Sequence, residues 1–172
     1  MKTTSKAKKS RHMKTLVVCY SKTGNTKKIG QEIARALDAD FEQIIEIGRR
    51  KGLIAYFMSG FEALKEKSSR IKPLSRSIYD YKRVIIGTPI WAGNITPALR
   101  TFLKINYLKD KKVHLFFTSG SGNTDKADSS IRSLLPMKFS GKILSLKETE
   151  VKNKAYDKKL KSFIKGIKNE QA

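Results

Sequence analysis

The residues Ser21-Lys22-Thr23-Gly24-Asn25-Thr26 combine hydroxyls, an amide, a cation and a glycine in six consecutive positions. They follow an apolar run, Leu16-Val17-Val18-Cys19-Tyr20, and precede Ile29, Ile33, Ala36 and Leu37 at helical spacing, so they read as the turn from a buried strand into a helix. A helix start presents backbone N–H groups without intrahelical acceptors, at the positive end of the helix dipole. Gly24 lets the chain turn tightly beside a ligand, and Ser21, Thr23 and Thr26 each offer a hydroxyl donor. Such a loop suits a phosphate group. Helix capping alone is the competing explanation, although a cap needs only one such residue. No Gly-Lys-Ser or Gly-Lys-Thr closes the segment and Gly-x-Gly-x-x-Gly is absent, which disfavours nucleotide triphosphate hydrolysis.

Two further segments carry chemistry. In Gly87-Thr88-Pro89-Ile90-Trp91-Ala92-Gly93-Asn94-Ile95-Thr96-Pro97, an aromatic side chain stands among turn formers just after an apolar strand. Trp91 there is either a stacking platform for a planar ring or a core tryptophan. Thr96 reads as a helix cap with Pro97 in the first helical position. In Thr118-Ser119-Gly120-Ser121-Gly122-Asn123-Thr124, backbone N–H groups could hold carbonyl oxygens, the alternative being a plain connection capped by Asn123 or Thr124. Cys19 reads as a small buried hydrophobe and His114 lacks a visible acid or nucleophile partner, so no catalytic triad and no metal site is expected.

Elements that would position these loops alternate along the chain. Strands are predicted at Leu16–Tyr20, Phe41–Ile47, Val84–Ile86, Val113–Phe117 and Ile143–Leu146. Helices are predicted around Ile29–Leu37, from near Gly52 through Ile54, Phe57, Phe61 and Leu64, around Leu99–Leu103, Ile131–Leu135 and Leu160–Ile167. Alternation of this kind calls for an α/β doubly wound five-stranded parallel sheet with helices on both faces and right-handed crossovers. Ligands on such sheets sit at the carboxyl ends of strands, which singles out the loops after strands one, three and four.

The 172 residues suit one domain, read as 13–172 behind a basic, polar tail at 1–12. Lys and Arg number 37 against 15 Asp and Glu, a net charge of +22, and the tail's Lys2, Lys6, Lys8, Lys9 and Arg11 account for only part of it. A field of this sign attracts acidic partners, polyanions and anionic surfaces and is silent on fold. A single cysteine excludes an internal disulfide and suits a reducing compartment. With no apolar leader and no run long enough to span a bilayer, the expectation is a cytoplasmic protein with no transmembrane segment.

A strand followed by Ser-x-Thr-Gly-Asn-Thr resembles the phosphate loop of flavodoxins, with Cys19 and Gly30 standing where an aromatic residue and an alanine are commoner. The resemblance spans Met13 to Lys168 and extends to the other two loops, implying the flavodoxin-like strand order 2-1-3-4-5 and FMN as cofactor. It implies that Ser21, Lys22, Thr23, Gly24, Asn25 and Thr26 hold the FMN phosphate. Pro89, Ile90, Trp91, Ala92, Gly93 and Asn94 would meet the ring, Gly93 permitting a peptide to reorient toward the reduced flavin N5–H. Ser119, Gly120, Ser121 and Gly122 would hold the pyrimidine edge, with no tyrosine following to cover the outer flavin face. The implied activity is electron carriage between redox partner proteins, acidic ones for so basic a chain, as a monomer or weak homodimer without specific nucleic-acid readout. An NAD(P)H-dependent FMN reductase of quinones or small molecules is the first alternative, and a basic binding module with structural or no FMN the second.

Overall fold

In the structure, a computed structural model that describes residues 13–48 and 68–170, strand β1 (Thr15–Tyr20) lies at the heart of the sheet with every residue buried. A strand buried on both faces must be covered from both sides, and the side chains alternate accordingly. Leu16, Val18 and Tyr20 join one core, Val17 and Cys19 the other. The remaining strands are β2 (Asp40–Ile44), β3 (Arg83–Ile90), β4 (Lys112–Ser119) and β5 (Ile143–Lys147), all parallel in the order β2-β1-β3-β4-β5. This is the strand order that the family resemblance implied. The chain crosses from one side of β1 to the other between β2 and β3, so the carboxyl ends of β1 and β3 flank the switch point.

Helices α1 (Asn25–Leu37), α4 (Glu148–Lys152) and α5 (Asp157–Asn169) cover the face bearing Val17, Cys19, Ile85, Phe116, Leu144 and Leu146. Helices α2 (Pro97–Ile105) and α3 (Asp125–Leu134) cover the face bearing Leu16, Val84, Ile86, Leu115 and Phe117. Each amphipathic stripe of the sequence faces the sheet: Ile29 and Ile33 on α1, Leu99, Phe102 and Leu103 on α2, Leu160, Phe163 and Ile167 on α5. Gly30 is where α1 comes closest, since a Cβ there would stand 2.9 Å from the Phe41 ring and 3.2 Å from that of Phe116.

The second strand begins at Asp40 and leaves the sheet after Ile44, three residues before the expected Ile47. Ile45 and Ile47 are each 43% exposed, and Glu46 instead forms an antiparallel bridge with Ile71. Strands β3 and β4 run further than expected, to Ile90 and Ser119, and so carry their loops' first residues into regular pairing. Helix α4 was not anticipated, because five residues are too few to establish a helical period. The basic tail at 1–12 and the helix expected from Gly52 lie outside the described residues.

Candidate functional site

Ser21, next after the last residue of β1, is 9% exposed, and its Oγ accepts the Gly24 N–H at 3.2 Å, closing a tight turn. Gly24 has φ of 96° and is itself the N-cap of α1, with no side chain capping the helix. No side chain makes a cap hydrogen bond to this helix, Ser21 serving only the turn before it, and the first-turn N–H groups keep no intrahelical acceptor. No acidic residue occupies the first turn, which instead bears Lys27 and Lys28 at the positive end of the dipole. Lys22, Thr23 and Gly24 are exposed, while Thr26 is buried and shares a 2.7 Å hydroxyl hydrogen bond with Thr118 at the end of β4.

Pro89 and Ile90 lie within β3, paired with Thr118 and Ser119. The chain then makes a four-residue turn in which Trp91 N–H donates to Asn94 O at 3.0 Å and Asn94 N–H to Trp91 O at 2.9 Å. Both central residues are left-handed, Ala92 at φ 48° and Gly93 at φ 77°, a conformation that glycine adopts freely and alanine only with strain. Asn94 is fully buried, and its Oδ1 accepts from Ile95 N–H, Arg100 Nη2 and Ser130 Oγ, so its side chain anchors the turn to α2 and α3. Thr96 caps α2 by accepting the Leu99 N–H, with Pro97 in the first turn, as the sequence predicts. Trp91 is half-buried; its ring meets Tyr20 edge to face at 5.8 Å, and Lys22 Nζ stands 5.6 Å from its centroid.

After β4, buried Ser119 accepts the Gly122 N–H at 3.0 Å, Ser121 Oγ accepts from Asn123 N–H, and Asn123 Oδ1 from Asp125 N–H. Gly120 and Ser121 are exposed, and Gly122, at φ 85°, lies under the aliphatic part of Lys147. The three segments therefore stand at the carboxyl ends of three adjacent strands, and the Thr26–Thr118 pair ties the first to the third.

A sequence model of the Flavodoxin family matches residues 14–160. The chain belongs to the flavodoxin family. A Bacteroides uniformis protein described as a flavoprotein superposes with a TM-score of 0.70 at 24% identity, covering 86% of this chain and 100% of its own. The Lactobacillus acidophilus flavoprotein in complex with FMN gives 0.68 at 23%, covering 82% and 97%. Oxidised flavodoxin 2 of Bacillus cereus gives 0.55 at 18%, covering 91% and 99%. At these identities the likeness is one of fold. No curated protein sequence matches the chain.

As a flavodoxin-family site, the pole holds residues that sequence reasoning passed over. Tyr20 is 5% exposed, donates its hydroxyl to Glu46 Oε2 at 3.0 Å and braces Trp91. Its place at the end of β1, next to the first loop, was the available signal. Lys147 has no such signal, since β5 brings it over Gly122 only in three dimensions. Burial pushes the Cys19 thiol up to about 12, partly offset by the nearby Lys27 ammonium, so it is neither nucleophile nor redox group at neutral pH. His114 lies near the other end of β4, and among the described residues no cluster of His, Cys, Asp or Glu could hold a metal ion. No helix of the described residues is long and apolar enough to cross a membrane.

Proposed function

We propose that this chain binds FMN at the carboxyl pole of its sheet and passes single electrons between larger redox proteins. The observation that carries the reading is the start of α1, where a glycine is the N-cap and no side chain caps the helix. Amides of the first turn, the Thr23 and Ser21 hydroxyls and the lysines beside them are donors, and the first turn itself holds no acid, which fits a phosphate ester. The half-buried Trp91, in edge-to-face contact with Tyr20 and with the Lys22 ammonium over its ring, supplies aromatic surface suited to a planar ligand. Backbone N–H groups around Gly120 and Ser121 suit carbonyl oxygens. FMN, when bound, supplies the one-electron chemistry; the protein anchors it, limits water and tunes its potential, with no general acid or base required.

Net charge directs the choice of partner. At +22 the chain attracts acidic surfaces, so its electron donors and acceptors are expected to be acidic and their association to weaken steeply as salt rises. The exposed Gly120-Ser121 stretch, with no aromatic residue beside it in sequence, favours a second reading in which the outer flavin face is open to small substrates, as in an NAD(P)H-dependent reductase.

The visible absorption spectrum of the purified protein before and after FMN addition, with calorimetry, tests the first claim; a colourless protein with no saturable uptake would sink it. Photoreduction in two resolved one-electron steps, without steady-state NAD(P)H oxidation in the presence of a quinone, supports the carrier. Brisk NAD(P)H oxidation would establish the reductase instead.

A further inference from the structure

The amino ends of the strands, opposite the three loops, carry a surface of a different kind. Thr15, Arg83 and Lys112 stand in register at the starts of β1, β3 and β4, so the residues leading into these strands share one end of the molecule. Two of those lead-ins are 78–82, before β3, and 106–111, between α2 and β4. The most exposed large hydrophobics among the described residues lie there: Tyr79 at 73%, Ile105 at 64% and Tyr107 at 50%. All three line one cavity of about 270 Å³, together with exposed Pro73 and half-buried Ile71 and Leu74. Apolar side chains scattered singly over a surface are ordinary, whereas gathered in one place they mark a contact.

The surroundings of this patch are cationic. Lys72 lines the same cavity, Lys104 and Lys109 flank Ile105 and Tyr107 along the chain, and Lys82 precedes β3; all four are exposed. Two exposed acids, Asp80 and Asp110, belong to the same end, and Asp110 is already paired with Lys111 at 3.6 Å. Arg76 is engaged by Asp40 at 3.5 Å. Residues 1–12 bring Lys2, Lys6, Lys8, Lys9 and Arg11 with no acid, and they join the chain at this pole, ahead of β1.

We propose that the amino pole docks on an anionic lipid bilayer, with Tyr79, Ile105 and Tyr107 entering the headgroup region and the lysines meeting the lipid charges. Tyrosine suits that depth because its ring is apolar and its hydroxyl polar, and an aliphatic side chain gains by leaving water there. Each lysine near such a surface adds to the attraction. A nucleic acid would instead be met by arginine forks and rings free to stack, whereas the free cations here are lysines and Ile105 has no face to stack on a base. The eight residues of β3 separate the two poles by about 25 Å, so a docked molecule holds the three loops clear of the lipid. The inference does not depend on the flavin and is the same with the cofactor bound or absent.

Cosedimentation of the full chain with vesicles of phosphatidylcholine, and of equimolar phosphatidylcholine and phosphatidylserine, tests the contact. Binding is expected to the anionic vesicles only. Ile105→Ser with Tyr107→Ser should weaken it about tenfold or more, and Lys104→Gln with Lys109→Gln a few-fold. Charge alone would act anywhere on so basic a chain, so Lys158→Gln with Lys161→Gln, exposed near the start of α5, is the control and should bind nearly as the parent. Brominated acyl chains report which pole enters: they should quench the indole introduced by Ile105→Trp and spare Trp91, the parent's single tryptophan. Equal loss in the α5 control, unchanged binding in the Ile105 and Tyr107 double variant, or quenching of Trp91 in the parent overturns the proposal. A single-stranded oligonucleotide that binds the parent and loses affinity in that double variant reassigns the patch to nucleic acid and overturns it equally.

Discussion

Thr26 and Thr118 share one hydrogen bond out of contact with solvent, and neither hydroxyl can be removed without orphaning the other. Thr26→Val is expected to cost about 1 to 3 kcal/mol in chemical denaturation, and Thr26→Val with Thr118→Val less than the sum of the two single changes. At Gly93, φ of 77° excludes a β-branched side chain without strain. Gly93→Val should cost about 1 to 3 kcal/mol and move the flavin potentials in a redox titration, whereas unchanged potentials would remove this turn from their control. His114 gives a pH dependence: burial first, then the Arg83, Lys112 and Lys142 charges, push its pKa from 6.5 down to about 4. A folded-state pKa below the unfolded one means that the unfolded chain takes up the proton first. Stability should therefore be lost as pH falls from about 6.5 toward 4 and be fully present above that window, by an amount on the order of 3 kcal/mol. His114→Phe should flatten this part of a melting-temperature profile against pH.

Among elements, α1 breaks a local rule in a telling way. Cations in a helix's first turn oppose its dipole, yet Lys27 and Lys28 stand there and no acid does. Lys27→Glu should stabilise the ligand-free protein by about 0.3 to 1 kcal/mol while weakening FMN binding, two changes of opposite sign read by thermal denaturation and calorimetry. If both moved together, the lysine would have no part in anion binding. The helices themselves were legible because Ile29 and Ile33, or Leu160, Phe163 and Ile167, repeat at the helical period. The end of β2 was not, since Ile45 and Ile47 are as apolar as residues inside the sheet and only the bridge from Glu46 to Ile71 draws the chain away.

At the scale of the whole molecule, the doubly wound parallel sheet and the placing of three loops at one pole followed from apolar runs alternating with amphipathic stretches, while the strand order came from the family resemblance. What the pattern left hidden was everything made by pairing between distant segments: Tyr20 bracing Trp91, Lys147 over Gly122, Asn94 turned inward to Arg100 and Ser130. Those contacts depend on side-chain direction, which spacing along one segment does not encode. Charge was legible in amount and belongs to this scale as well: association with an acidic redox partner should slow about tenfold or more between low and physiological salt in stopped-flow measurements, and a salt-independent rate would argue for an uncharged contact.

The threonine bridge also constrains the order of events when the chain folds. Its two residues are 92 positions apart, so the phosphate-loop end of α1 acquires its tether only once β4 has added to β3. A nascent chain still lacking the fourth strand would carry the whole Ser21–Thr26 segment, with Ser21 held to β2 by Gln43 but Thr26 without its partner. Cofactor capture during synthesis should accordingly wait until the chain beyond Thr118 has left the ribosome.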